Sequence, residues 1–221
     1  ILKTNYLTKL YLSKKLKFIK KYNNQETKII FSSVVPNCFK EVKSFFKSNL
    51  NIKPLEIKEI NINKFIKVMV NKKQVGSDRL ANAISVIDKK HNYIVLDFGT
   101  ATTFDVIIRE KYLGGIIAPG VNLSLETLSN KASLIPKISI SKTSNVIGKN
   151  TNSAVKSGFY WGYTGLIDNI IKLIIKQTRK SFKVVITGGL AHLFKNKIKK
   201  KSIIDKDLTI KGLLKLAKNL N

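Results

Sequence analysis

Cysteine is nearly missing from this chain of 221 residues. Cys38 stands alone, which excludes an internal disulfide and any multi-cysteine zinc site. Long apolar runs are missing too, since none approaches the roughly 20 residues that a membrane-spanning helix needs. The opening Ile1-Leu2-Lys3-Thr4 lacks a signal-peptide layout. The expectation is a cytoplasmic protein with no membrane partner. Acidic residues are few, 13 against 41 basic ones, for a formal charge of +28. Arginine is scarcer still: Arg79, Arg109 and Arg179 are the only three, and the other 38 basic residues are lysines.

That scarcity weighs against a specific nucleic-acid partner, because base-reading and phosphate-clamping surfaces usually enlist the arginine fork. The lysines are scattered among isoleucines and asparagines, and clusters such as Lys14-Lys15 or Lys199-Lys200-Lys201 read as solvated faces. Salt-sensitive sticking to polyanions is what such a charge predicts. What is present is a hydrophobic fraction of 43%, enough for a sizeable globular core.

Along the chain, helical and extended patterns alternate. Leu7, Leu10, Leu16 and Ile19 predict an amphipathic first helix among lysines. A strand is expected over 28–34, closed by Pro36, and then a helix marked by Phe39, Val42, Phe45 and Phe46. Phe65 to Val70 reads as a strand, and Gly76-Ser77-Asp78-Arg79 opens a helix with Leu80, Ala83, Ile84 and Ile87 on its apolar side. After a buried strand at 93–97, Thr102–Ile108 and Tyr112–Ala118 predict a hairpin, followed by a helix through Leu123 and Leu128. Thr151-Asn152-Ser153 caps a long helix with Ala154, Gly158, Gly162, Leu166, Ile170 and Leu173 spaced for packing. A further buried strand at 183–187 and a helix over 208–220 complete the chain. Such alternation is that of a layered α/β protein, whose ligands bind at the carboxyl ends of the strands.

Chemistry concentrates at those ends. Tyr93-Ile94-Val95-Leu96 delivers Asp97-Phe98-Gly99-Thr100 into a turn. There an acid can hold a cation, glycine admits a phosphate close to the backbone, and a hydroxyl can bond phosphate oxygen. Gly76-Ser77-Asp78-Arg79 sits at a helix N-terminus, where unpaired N–H groups favour anions. Gly148-Lys149-Asn150-Thr151 puts a hydroxyl at another helix start, and Thr187-Gly188-Gly189 follows a strand.

With Gly114-Gly115-Ile116-Ile117-Ala118-Pro119-Gly120 and Asp207-Leu208-Thr209-Ile210-Lys211-Gly212-Leu213, these motifs in this order resemble the type III pantothenate kinase family over nearly the whole chain. The resemblance implies an actin-like ATPase (ribonuclease H-like) fold, two similar α/β halves around a nucleotide cleft. The halves would comprise residues 1–96 and 97–221. It implies ATP-dependent phosphorylation of pantothenate, the first committed step toward coenzyme A, by a homodimer using a monovalent cation (potassium or ammonium) and magnesium with ATP. Asp78 is then the general base, and Gly76, Ser77 and Arg79 complete the pantothenate pocket. Gly99 and Thr100 contact ATP, Asp97 is the monovalent-cation ligand, and Thr151 reaches pantothenate from the dimer interface.

The backbone of Gly188 and Gly189 is expected to close over the nucleotide. Plainer roles stand beside these: Asp78 stabilising a helix start, Arg79 in a structural ion pair, Thr151 as an N-cap, Gly188 and Gly189 as a turn. Asp105 and Asp168 read as structural, and His91, His192 and Trp161 have no partner pattern. The family's opening Asp-x-Gly-Asn-Thr loop does not occur, which suggests an N-terminally incomplete chain. Met69 and Lys72 stand where many members carry Tyr and Pro. The competing reading is a noncatalytic relative of the Bvg accessory factor type.

Overall fold

The apolar run that follows His91 becomes the interior strand of a sheet. In the computed structural model, which describes residues 9–16, 19 and 28–220, strand β4 spans Asn92–Phe98. It pairs antiparallel with β5 (Ala101–Ile108) and parallel with β7 (Lys183–Gly188). The hairpin partner of β5 is β6 (Lys111–Pro119), turned through Arg109 at φ 51°. Two short strands, β3 (Lys67–Val68) and β8 (Ser202–Ile204), complete the six-stranded order β3-β6-β5-β4-β7-β8. Ile94, Val95 and Leu96 are all fully buried, so both faces of the sheet are covered at β4. The expected strands at 93–97 and 183–187 and the expected hairpin are borne out.

The long helix α5 (Thr151–Thr178) packs on this sheet through Tyr160, Ile167, Ile171 and Ile174, against Leu96, Phe104 and Ile186. The sequence stripe of Ala154, Gly158, Gly162 and Leu173 lies on the other, exposed face. Both stripes have helical spacing; the core selects the one carrying Tyr160 and the β-branched residues, which have volume to bury. Helix α4 (Val121–Lys131) shows the same kind of shift, burying Val121 and Leu125 while Leu123 is exposed. A one-turn helix α6 (Ala191–Phe194) follows β7, and Phe194 stacks on Phe98 at 5.0 Å.

These elements form one compact unit, residues 66–70 and 86–208. The second unit takes residues 1–65, 71–85 and 209–221. The units therefore do not part at a single break between 96 and 97: all of β4 is tied into one ladder, and the C-terminal segment joins the other unit.

In that other unit, helix α1 (Lys9–Lys15) and helix α2 (Pro36–Leu50) bury Leu12, Val42, Phe45 and Phe46 together. Leu7, expected on the first helix, lies outside the described residues. The strand expected over 28–34 contracts to β1 (Ile30–Phe31), paired among the described residues only with β2 (Leu55–Glu56) and half-buried. Two rungs on one partner cannot bury a seven-residue strand. Val34 is 63% exposed, and Pro36 begins α2 at its first turn, the position where its missing N–H costs nothing. The strand expected over 65–70 likewise contracts to β3, because Phe65 ends a 3-10 turn in helical conformation.

Helix α3 (Ser77–Val86) is the centre of this unit, with Leu80, Ala81, Ala83 and Ile84 fully buried. Helix α7 (Leu208–Ala217) crosses it from Thr209 onward. A Cβ added to Gly212 would stand 1.9 Å from the Ala81 carbonyl oxygen, and Thr209 Oγ1 donates to Asn82 Oδ1 at 2.7 Å. Among the described residues, no helix is long and apolar enough to cross a membrane.

Gly212→Ala separates helix propensity from packing. In an isolated helix, alanine would gain about 1 kcal/mol over glycine. Here the methyl group meets backbone, so we expect a net loss of about 1–3 kcal/mol, measured by urea denaturation. A stabilised variant would show that α3 and α7 do not approach this closely.

Candidate active site

Two clusters carry the residues singled out in the sequence, one in each unit. The first is the N-terminal turn of α3. Leu80 N donates to the Gly76 carbonyl at 3.1 Å, so Gly76 occupies the capping position but has no side-chain oxygen to offer. Its lack of a side chain serves another purpose. A Cβ at Gly76 would lie 2.5 Å from Asp78 Oδ1, in the space the carboxylate fills. Asp78 thus folds back over Gly76, accepting the Arg79 N–H on Oδ1 at 2.8 Å. The carboxylate is half-buried and stands in the first turn, where the helix dipole favours negative charge.

Ser77, 1% exposed, donates its hydroxyl to Glu56 Oε1 at the end of β2. The other Glu56 oxygen accepts the Lys58 N–H at 2.6 Å, and the Glu56 N–H donates to Glu59 Oε2 at 3.2 Å. Glu59 in turn pairs with Lys43 at 2.8 Å. Those contacts, with the bond from Lys43 first among the causes, hold the Glu59 carboxyl below its ordinary value against the opposing effect of burial. Lys72 has a role of its own: its ammonium donates to the Ile60 carbonyl at 3.0 Å and the Lys58 carbonyl at 3.3 Å. Burial lowers its pKa, partly offset by the charge of Glu56. Met69, the other departure from the family pattern, is exposed and extends the β3 edge by donating its N–H to the Tyr112 carbonyl.

The second cluster lies at the carboxyl end of β4. Asp97 is flanked in register by Thr103 on β5 and Thr187 on β7, so a polar row crosses three strands. Thr103 Oγ1 is buried without a hydrogen-bond partner among the described residues, and cross-strand neighbours of this kind lie about 5 Å apart. Beyond the row, Gly99 N donates to the Ala101 carbonyl at 3.1 Å, and Gly99 and Thr100 are exposed. Gly188 has φ 89° and closes on the backbone of Phe98, where an added Cβ would come within 2.5 Å. Only glycine takes that conformation and that approach without strain.

A third position, Thr151, begins α5 in the same unit as Asp97. The helix cap is Asn150, whose side chain accepts from Ser153 N while Ser153 Oγ accepts from Asn150 N. Thr151 is therefore the first helical residue, exposed, and not the cap expected from the sequence. Asn150 and Ser153 at i, i+3 were the signal for that cap. Glu56 had no comparable signal, because its link to Ser77 spans 21 residues.

Several residues are occupied elsewhere. Asp105 is buried and accepts from Tyr112 at 2.6 Å, and Asp168 accepts the Lys199 N–H at 3.0 Å; both act in structure. His91, for which the sequence suggests no partner, has its ring 2.9 Å from Asp88, which also accepts from Tyr93 at 2.6 Å. Burial first, and then the Asp88 bond, push the Tyr93 hydroxyl up to about 12. Trp161 lies beneath the Lys197 ammonium at 5.0 Å. Among the described residues, no group of three or more His, Cys, Asp or Glu side chains could hold a metal ion.

Known proteins bear directly on this arrangement. The family model for type III pantothenate kinase matches residues 3–173. A type III pantothenate kinase from Pelagibacter ubique is 58% identical over 215 residues, covering 97% of this chain and 87% of that protein. One from Paramagnetospirillum magneticum is 39% identical over 194 residues, covering 85% and 73%. Among solved structures, a Campylobacter jejuni protein assigned to the Baf family of transcriptional activators superposes with a TM-score of 0.58 at 23% identity. That match covers 92% of this chain and 87% of the other, and it extends the likeness to the fold. With the family model spanning most of the chain and a relative at 58% identity along nearly all of it, the chain belongs to the type III pantothenate kinase family.

Proposed function

We propose that this chain phosphorylates pantothenate with ATP to give 4'-phosphopantothenate, entering coenzyme A biosynthesis in the cytoplasm. The identity with a type III pantothenate kinase carries the activity. The observation that carries the assignment of roles is the Asp78 carboxylate folded over Gly76 at the start of α3. Retention of Asp78, Arg79, Asp97 and Thr100 favours the kinase over a noncatalytic relative.

Phosphoryl transfer asks mainly for positioning and charge stabilisation. Asp78 Oδ1 is engaged by the Arg79 N–H, so we assign Oδ2 to the proton of the pantothenate hydroxyl. Arg79 supplies the cation that meets the substrate carboxylate, with Gly76 and Ser77 shaping the wall. Gly99 and Thr100, exposed at the end of β4, present N–H and hydroxyl to ATP phosphates.

As a kinase the chain uses ATP with a divalent ion. The donors at β4 suit a monovalent cation in addition: one carboxylate, Asp97, beside the unpartnered Thr103 hydroxyl, with no carboxylate cage among the described residues. Asp97 and Thr103 would hold potassium or ammonium, whose charge offsets that of the phosphates. Asp97 keeps this charge-bearing oxygen at a fixed height on the sheet.

We also infer a homodimer through α5. Gly158 and Gly162 are exposed with nothing within 4 Å of an added Cβ, and Leu173 on the same side is 51% exposed. Small residues at this spacing admit a second helix closely, and Thr151 at the head of α5 would then reach the partner's pantothenate pocket.

Three measurements on the full-length protein check these roles. Asp78→Asn should leave ATP binding intact and lower turnover by about 10²–10⁴-fold, the usual cost of losing a positioned base. Near-parental turnover across neutral pH would reassign Asp78 to the helix start. Asp97→Asn should blunt activation by potassium, with sodium as control salt, through weaker use of ATP. An unchanged potassium response with lowered thermal stability would make Asp97 a turn residue only. Sedimentation should give a dimer, and a stable monomer that still turns over pantothenate would remove Thr151 from the shared pocket.

A further inference from the structure

The turn bearing Asp78 and Arg79 begins without a side-chain cap. Gly76 has no oxygen to offer, and Asp78 spends one of its own on the next N–H. Uncapped first turns fray, because their N–H groups have no partner within the helix. Ser77 ties this turn to its unit from outside the helix, through the bond from its hydroxyl to Glu56.

Glu56 is unusual in its own right. Its carboxylate is buried, the residue being 8% exposed, and an unpaired buried carboxylate is strongly disfavoured. It is instead held on both oxygens, by Ser77 Oγ and by Lys58 N. Lys72 provides the countercharge from its seat on the Lys58 and Ile60 carbonyls. Glu59, paired with Lys43, accepts the Glu56 N–H and fixes the backbone beneath. The result is a rigid acceptor aimed at the residue between Gly76 and Asp78.

We propose that Glu56 is a positioning residue for phosphoryl transfer, holding the Asp78–Arg79 turn in register through the Ser77 hydroxyl. This rests on the assignment of Asp78 as base. Glu56 touches neither substrate in this scheme; it acts through Ser77 alone. Lys72 belongs to the same device, which gives a reason for lysine at that position.

The experiment compares Ser77→Ala, Glu56→Ala, the double variant and Glu56→Gln in the full-length protein, with kcat, KM and melting temperature for each. Small misplacements of reacting groups cost rate more than affinity, and about tenfold is expected here. Ser77→Ala and Glu56→Ala should each lower kcat by about tenfold at a temperature where both are folded, with KM for ATP within about twofold of the parent. The double variant should be no slower than Glu56→Ala, because both changes cut one link. Glu56→Gln should recover most of the rate, since its amide can donate to Ser77 Oγ with the hydroxyl reversed.

Parental kcat in Ser77→Ala, or losses that multiply in the double variant, would overturn the proposal. If Glu56→Ala does not fold, Glu56→Gln with and without Ser77→Ala decides in its place. A parent protein unable to phosphorylate pantothenate would instead refute the proposed function. An active parent with an inactive Asp78→Asn and a fully active Ser77→Ala would refute this inference alone.

Discussion

Strand β4 is hydrogen-bonded along both edges, to β5 in one direction and β7 in the other, and its unit is organised around it. A strand so held cannot slip by one residue without turning its whole buried set to the other face. Ile94, Leu96 and Phe98 are thereby committed to the face that α5 covers. Asp97, of opposite parity, joins the row of Thr103 and Thr187 on the other face. Its height at the end of the sheet is thus fixed by seven residues of ladder. The left-handed Gly188 closes on the Phe98 backbone for the same reason: two parallel strands end together, and the chain leaving β7 must pass close to its neighbour.

The other unit solves a similar problem with a helix. Helix α3 is held in the middle by the close crossing of Gly212 over Ala81 and by the bond from Thr209 to Asn82. At its start it is held by Ser77 on Glu56. Between these fixings lie the buried Leu80, Ala81, Ala83 and Ile84. The half-buried first turn of such a helix presents a carboxylate and a guanidinium next to each other, Asp78 and Arg79. The glycine before them serves the carboxylate by leaving it room.

The excess of lysine has two kinds of use. Among the described residues, most of it faces solvent and keeps the surface charged. Some is spent on structure: Lys72 on two carbonyls, Lys43 on Glu59, Lys197 over the Trp161 ring. A flexible stem with a compact ammonium can reach such carbonyls one at a time, where an arginine fork would demand a planar pair of acceptors.

Residue order by itself determined the central elements of the sheet. The unbroken apolar run of β4 and the strand before Thr187-Gly188-Gly189 are legible because a strand buried on both faces requires uninterrupted apolar residues, and the hairpin of β5 and β6 because the polar Arg109-Glu110-Lys111 separates two extended patterns. The motifs at the strand ends and at Gly76-Ser77-Asp78-Arg79 were equally legible, since short loops carry their chemistry in consecutive residues. Tertiary structure decided what local pattern leaves degenerate. Helix α5 has two stripes of correct spacing, and only packing against the sheet selects Tyr160, Ile167 and Ile174 over Gly158 and Gly162. The strands at 28–34 and 65–70 contract because strand length depends on the partner's length, which no single segment contains. Glu56 acquires its meaning from Ser77, 21 residues away, and Gly212 from a backbone oxygen more than a hundred residues earlier. Propensity and periodicity act over a few neighbouring residues, whereas close approach and buried hydrogen bonds join segments that only the folded chain brings together.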